Sequence, residues 1–421
     1  MGYLTVGKSV VGIIERNLPK ARIFAKAENP MQVIGQDVKS LLKSLPQDIQ
    51  GEAKMNCFKN FMIASMAKTK GSIGLDKKAD LLTNLSSKYS KRELSEIAKA
   101  DTPEALSDAL KGFMEKVEMD LPEVYTKWLC LPSFTPKIAQ KGFGNLRKHI
   151  LSSMQGKCSQ EEFLLLASAK NEIELTKAFQ TVSKNIQNAK FKQGVPIEVE
   201  QAMYDFTRRR NDTFLDIYKA IKVEPTNPKV AEIENTLRTK YGIKFVDLAN
   251  NEERANQILQ AVELNVSQGR KIPDNIIVSK LLEDSGEALL HSNLQSTVLI
   301  EQSSGMDLLQ SLMQVDAEHC ANPQLKNFYN KVTEAIGEMA KTRLSTEHPL
   351  HTVIHEFNHL GQNQLLAARF RRIPNEFEST YKGLSDYAAK GIVGEIEAEL
   401  LTKQQLAKLT ADEGRLLEYL S

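Results

Sequence analysis

Two histidines set four residues apart, in the run His355-Glu356-Phe357-Asn358-His359, constrain this chain more than any other feature. The run lies inside a stretch, Leu350 to Leu366, whose apolar residues Val353, Ile354, Phe357 and Leu360 recur at helical spacing. Residues at i and i+4 stack on one face of a helix, so both imidazoles can reach one Zn²⁺. Glu356 sits one step further round and can take a proton from a water that the metal activates. The spacing therefore predicts a half-buried helix, opened by Pro349 and loosened at Gly361, carrying the metal-binding part of a zinc hydrolase. The plain alternative is a buried helix whose histidines are satisfied by neighbouring groups.

A hydrolytic zinc needs a third protein ligand and one open position. The metzincin continuation would place Gly at position 362 and His at position 365, where this chain has Gln362 and Leu365. No histidine follows His359, which leaves a carboxylate. The segment Gly394-Glu395-Ile396-Glu397-Ala398-Glu399-Leu400-Leu401 offers three on a second expected helix. Glu395 and Glu399 share a face beside the apolar residues Val393, Ile396 and Leu400, and Glu397 points away from it. Glu395 is the first choice as ligand, and Glu399 is placed to orient a ligating imidazole through its free ring N–H. A solvated acidic face is the other reading, and it suits Glu397 best. His351 continues the row of His355 and His359, but at 1.5 Å rise per residue the outer two stand about 12 Å apart, too far to share an ion.

The motif His355-Glu356-x-x-His359, followed by Leu384-Ser385-Asp386-Tyr387-Ala388 and by Glu395-x-x-Ala398-Glu399, resembles the gluzincin metallopeptidases of the anthrax lethal factor type. The resemblance covers about residues 345–421, and a vaguer similarity reaches back to about residue 230. It implies that His355, His359 and Glu395 bind zinc, that Glu356 is the general base and that Glu399 lies behind the ligands. Tyr387 matches the tyrosine that supports the oxyanion or protonates the leaving amine, with Tyr381 as the alternative. The connection Gly391-Ile392-Val393-Gly394 departs from the family's more polar one.

Upstream of the motif, residues 229–241 read as helix and Tyr241 to Leu248 alternates like a strand. A helix at about 251–267, a Pro-marked strand at 272–278, a β-rich run at 296–301 and a long helix at about 322–342 follow. If the 296–301 strand lies at the sheet edge, an extended peptide could add to it. The first half is different in kind, with about ten helical segments. Capping patterns open several, at Ser90-Lys91-Arg92-Glu93, Ser159-Gln160-Glu161-Glu162 and Asp101-Thr102-Pro103-Glu104. The expected fold class is a mainly α N-terminal region, 1–224, plus an α+β zincin-like C-terminal metallopeptidase domain, 229–421. The break falls at Glu224-Pro225-Thr226-Asn227-Pro228, and a second at 131–136 divides the helical region or only turns a corner in it.

The net charge is +2 over 421 residues, but residues 1–224 carry +9 and the remainder −7. Such asymmetry suits docking of the halves or an acidic partner. The clusters Arg208-Arg209-Arg210 and Arg369-Phe370-Arg371-Arg372 read as solvated helix ends, since no recognisable nucleic-acid module surrounds them. Cys57, Cys130, Cys158 and Cys320 are too scattered for a disulfide framework or a thiolate metal site and read as buried free thiols. No apolar run is long enough to span a bilayer, and residues 1–10 lack the core of a cleaved signal. A cytoplasmic protein is expected, or one exported without a cleaved signal peptide. The function expected is hydrolysis of a protein or peptide substrate with Zn²⁺ as cofactor. The alternative is an inactive zincin-like scaffold working through its helical region.

Overall fold

The computed structural model describes residues 38, 41–69, 73–129, 143–279, 286–302, 305–343, 348–363, 365–369, 371–385 and 388–421. It is mainly helical, with one small four-stranded mixed sheet in the C-terminal half. The chain forms two compact units: residues 112–210 and 363–372 belong to one, and residues 38–111, 211–362 and 373–421 to the other. Residues 38–111, on the N-terminal side of the break expected at 225–228, thus share a unit with the C-terminal half. The corner expected at 131–136 lies outside the described residues.

In the first unit, helices Phe143–Met154, Gln160–Ser168 and Glu172–Gln193 bury Leu146, Ile150, Leu166, Leu175, Phe179 and Val182 against one another. The capping box at Ser159 is formed, with the Glu162 N–H donating to Ser159 Oγ and the Ser159 N–H donating to Glu162 Oε2. The arginine cluster corrects the solvated reading. Arg208 and Arg210 are buried, Arg208 over the Tyr204 ring at 4.0 Å and Arg210 at 3.7 Å from Glu118. A guanidinium can lie flat on an aromatic face or beside a carboxylate without water, which a charge count does not reveal.

In the second unit, helix Gln47–Thr69 packs on helices Gly305–His319 and Pro323–Arg343 around Ala53, Cys57, Leu309, Met313, Phe328 and Tyr329. Among the described residues Cys57, Cys158 and Cys320 carry free thiols; Cys57 is buried, but Cys158 and Cys320 are only half-buried.

The sheet of the second unit begins with helix α1 (Pro228–Thr239), capped by Asn227 with proline in its first turn. Gly242 then turns the chain with φ 70°, and Ile243 donates back to Leu237. This turn absorbs the start of the alternation seen from Tyr241, so strand β1 is only Phe245–Asp247. Helix α2 (Glu252–Ser267), capped by Asn251, leads to β2 (Asn275–Ser279), and β3 (Gly286–Leu290) and β4 (Ser296–Glu301) form a hairpin. The order is β1-β2-β4-β3, with β1, β2 and β4 parallel and β3 antiparallel at the edge.

The expectation that 296–301 lies at the edge is therefore corrected: β4 is interior, and β3 covers it. β3 escapes the sequence pattern because Gly-Glu-Ala-Leu-Leu contains no β-branched or aromatic residue, and pairing with β4 overrides its weak propensity. Ile276, Val278, Val298 and Ile300 line one face of the sheet. Onto it pack Val353, Ile354 and Phe357 of helix α3 (His351–His359), burying the apolar stripe of the motif helix.

Candidate metal centre

Helix α3 is shorter than the stretch to Leu366 that its periodicity suggests, and its end is chemical. The Gln362 side chain folds back and donates from Nε2 to the Gly394 carbonyl at 2.7 Å, leaving its Oε1 at 2.7 Å from His359 Nδ1. With the amide so oriented, His359 donates from Nδ1 and its Nε2 carries the lone pair. Gln362 thus fixes the tautomer of one histidine, a role the sequence pattern gave no sign of.

Helix α4 (Val393–Gln405) crosses α3 and is pinned to it by a buried amide network. Asn358 Nδ2 donates to Thr402 Oγ1 at 3.1 Å and to Gln405 Oε1 at 2.9 Å. Gln405 Nε2 in turn donates to Asn265 Oδ1 of α2 at 2.6 Å. Three helices are therefore held by directional bonds that tolerate little sliding.

This clamp brings His355, His359 and Glu395 together. His355 Nε2 and His359 Nε2 are 3.1 Å apart, and Glu395 Oε2 lies 3.4 Å from the first and 3.7 Å from the second. A tetrahedral cation bound at about 2.0–2.1 Å holds its ligand atoms about 3.3 Å apart, so this triangle has the size to hold one. The atoms are also reserved. Both carboxylate oxygens of Glu395, Nδ1 of His355 and Oε2 of Glu356 are buried with no hydrogen-bond partner. Buried polar atoms without partners are uncommon and costly, and three carboxyl oxygens of this kind, on Glu395 and Glu356 beside the two Nε2 atoms, fit a cation-binding site better than a packed core. His355, Glu356 and His359 form a second grouping of metal-binding side chains, as do His351, His355 and Glu399.

Glu399 stands on the far side of His355. Its Oε2 is 3.1 Å from His351 Nε2 and its Oε1 is 3.9 Å from His355 Nδ1. The His351 and His355 rings stack at 5.9 Å between centroids. Glu397 is half-buried, two residues from each of the glutamates that face α3. Tyr387 lies outside the described residues. Tyr381 is half-buried and packs with the Leu384, Val393 and Ile396 cluster beside α4.

Electrostatics separate the four groups. Burial opposes charge on His355, but the carboxylates of Glu395, Glu399 and Glu356 together outweigh it and push the imidazole up to about 9. Burial pulls His359 down to about 4, the nearby Glu395 notwithstanding. Burial likewise pushes Glu356 up to about 8, with His355 opposing and Glu395 adding to it. For Glu395 burial acts upward, yet the imidazoles of His359 and His355 hold it well below the usual carboxylate range. At pH 7 without a metal, a charged His355 therefore pairs with a charged Glu395, while His359 and Glu356 are neutral. Searches of protein-family models, curated proteins and solved structures with this chain return no match.

Proposed function

We propose that this chain is a zinc-dependent metallopeptidase with a zincin-like C-terminal domain of the gluzincin type. The observation that carries the reading is the buried triangle of His355 Nε2, His359 Nε2 and Glu395 Oε2, with sides of 3.1, 3.4 and 3.7 Å. Zinc, when bound there, supplies a Lewis acid that polarises a carbonyl and makes a water acidic near neutral pH.

The protein's own groups do the rest. In its carboxylate form Glu356 accepts the proton of the attacking water and returns it to the leaving amine nitrogen. The Glu399 carboxylate, 3.9 Å from His355 Nδ1, supports that ring through its charge, and Gln362 orients His359 by accepting from its Nδ1. Tyr387, or Tyr381 in its place, supplies the hydroxyl that steadies the oxyanion. β3, at the edge of the sheet, offers backbone groups to an extended peptide, so the substrate class is an unfolded or loop segment of a protein. Among the described residues no helix is long and apolar enough to cross a membrane.

Metal analysis of the purified protein should find about one zinc per chain, absent from His355→Ala. A proteome exposed to the wild type should gain new N-termini that Glu356→Gln does not produce. Zinc without cleavage would leave the inactive scaffold as the reading, and no zinc even after supply would remove the peptidase.

A further inference from the structure

Where strand β3 packs on helix α3, Gly286 lies directly against Glu356. A Cβ on Gly286 would lie 2.5 Å from Glu356 Cγ and 2.8 Å from both Cδ and Oε1, inside any tolerated contact. Backbone conformation does not explain the glycine, because Gly286 is not among the residues with positive φ. Its side-chain position is simply filled by another residue. The next residue on that face, Ala288, is also small and packs on the core that holds Val353, Ile354 and Phe357. Glu356 is 1 % exposed, so its carboxyl has no open solvent into which to swing aside.

We propose that Gly286 is a positioning residue for Glu356: the missing side chain at this point of the edge strand is the space in which the carboxyl is held. The edge to which a peptide would add and the group that handles the proton are then registered to each other through one strand, β3. The role of that proton rests on the peptidase reading; the contact does not. A glycine at the start of a strand with no such duty would gain from replacement by alanine, since alanine restricts the unfolded chain. The proposal requires the opposite sign.

The test is thermal unfolding of the metal-free full chain carrying Gly286→Ala alone and in the backgrounds Glu356→Ala and Glu356→Gln. The single change should lower Tm by about 3–8 °C, the effect of overpacking a filled site. In Glu356→Ala, where the obstructing atoms are gone, the loss should shrink to about 1 °C or vanish. In Glu356→Gln, which keeps the shape, it should persist. Equal losses in all three backgrounds, or a rise in Tm from the single change, would overturn the proposal. A second arm reads zinc content and peptide turnover: Gly286→Ala should keep its zinc and lose kcat by about 10–100-fold, as displaced supporting groups do. Loss of zinc equal to that of His355→Ala would count against a role confined to Glu356. If the wild type neither holds zinc nor cleaves, the peptidase reading fails while the thermal cycle still decides the contact.

Discussion

Two buried histidine clusters lie in the same compact unit, and they differ in how their polar atoms are used. His291, with no exposed surface, has Nδ1 at 3.1 Å from Asp212 Oδ1 and Nε2 at 2.7 Å from Thr297 Oγ1, and Asn275 Nδ2 donates to the same hydroxyl at 3.1 Å. Taken alone, this order of carboxylate, imidazole and hydroxyl resembles a hydrolase relay. Every ring nitrogen is satisfied, however, and Thr297 is sealed from solvent, so the cluster ties the β3–β4 hairpin to the residues around Asp212. At His355 the reverse holds: the ring, Glu356 and Glu395 are as deeply buried, yet they keep atoms without partners. A fully satisfied network contributes stability, whereas an unsatisfied one costs stability and is retained for something that binds.

The largest effect that could break this contrast is on metal affinity. Glu395→Gln and His355→Ala should each weaken zinc binding by more than about 100-fold, beyond what loss of an orienting group does, because a ligand itself is removed. His291→Ala should leave zinc content unchanged in whatever fraction stays folded. Equilibrium competition with a chelator reads both, and equal losses would make the two clusters one network.

Stability should reverse the ranking. His291→Ala removes one partner each from the Asp212 carboxylate and the Thr297 hydroxyl, leaves a new cavity, and should cost about 2–4 kcal/mol in denaturant unfolding. Glu356→Gln in the metal-free protein should change stability by no more than about 1 kcal/mol at pH 7, because a carboxyl held at about 8 is already neutral there. A large loss from Glu356→Gln would mean that the carboxyl has a structural partner.

Much of this architecture was legible before the structure. The i, i+3, i+4 spacing of Val353, Ile354, Phe357 and Leu360 fixes the buried face of α3, and the β-branched runs at 275–279 and 296–301 announce their strands. β3 was not legible, since its residues favour helix or nothing, and without it the edge fell to the wrong strand. Helix Gly305–His319 was likewise missed between stronger signals. At the site, helical phase sufficed to turn Glu395 and Glu399 toward α3. The clamp of Asn358 on Thr402 and Gln405, the amide of Gln362 and the space at Gly286 join residues tens to more than a hundred apart, or depend on an amide's orientation; no local pattern encodes either.

Proton linkage sharpens the contrast further. His355 is raised to about 9, so its pairing with carboxylates stabilises the metal-free fold fully below its ordinary value of 6.5, and that contribution is lost as pH rises through 9. Zinc requires the unprotonated ring. Binding at pH 7 should therefore release about one proton from His355, approaching two if Glu356 ionises with it, and apparent affinity should rise about tenfold per pH unit between 7 and 9. Calorimetry in buffers of different ionisation heat counts the protons. His291, lowered chiefly by burial, works the other way: the unfolded chain takes up its proton below 6.5, so stability falls with falling pH there. A metal-binding reaction with no proton release at pH 7 would mean that His355 is neutral before zinc arrives.

The smallest effects test the register of α4. Glu399 has one oxygen 3.1 Å from His351 Nε2 and the other 3.9 Å from His355 Nδ1, so its charge lies beside the ligand set. Glu399→Gln should cost about 10–100-fold in zinc affinity, because an amide can still accept a hydrogen bond but no longer carries the charge that strengthens the imidazole as a donor to the metal. Glu397, half-buried and out of phase with both, should tolerate Gln with less than about a twofold change in zinc affinity, since its carboxylate does not face α3. The pair is a test of phase rather than of charge: both substitutions remove one negative charge from the same helix within two residues. If Glu397→Gln weakened zinc as much as Glu399→Gln does, long-range charge rather than the aimed carboxylate would be setting the affinity.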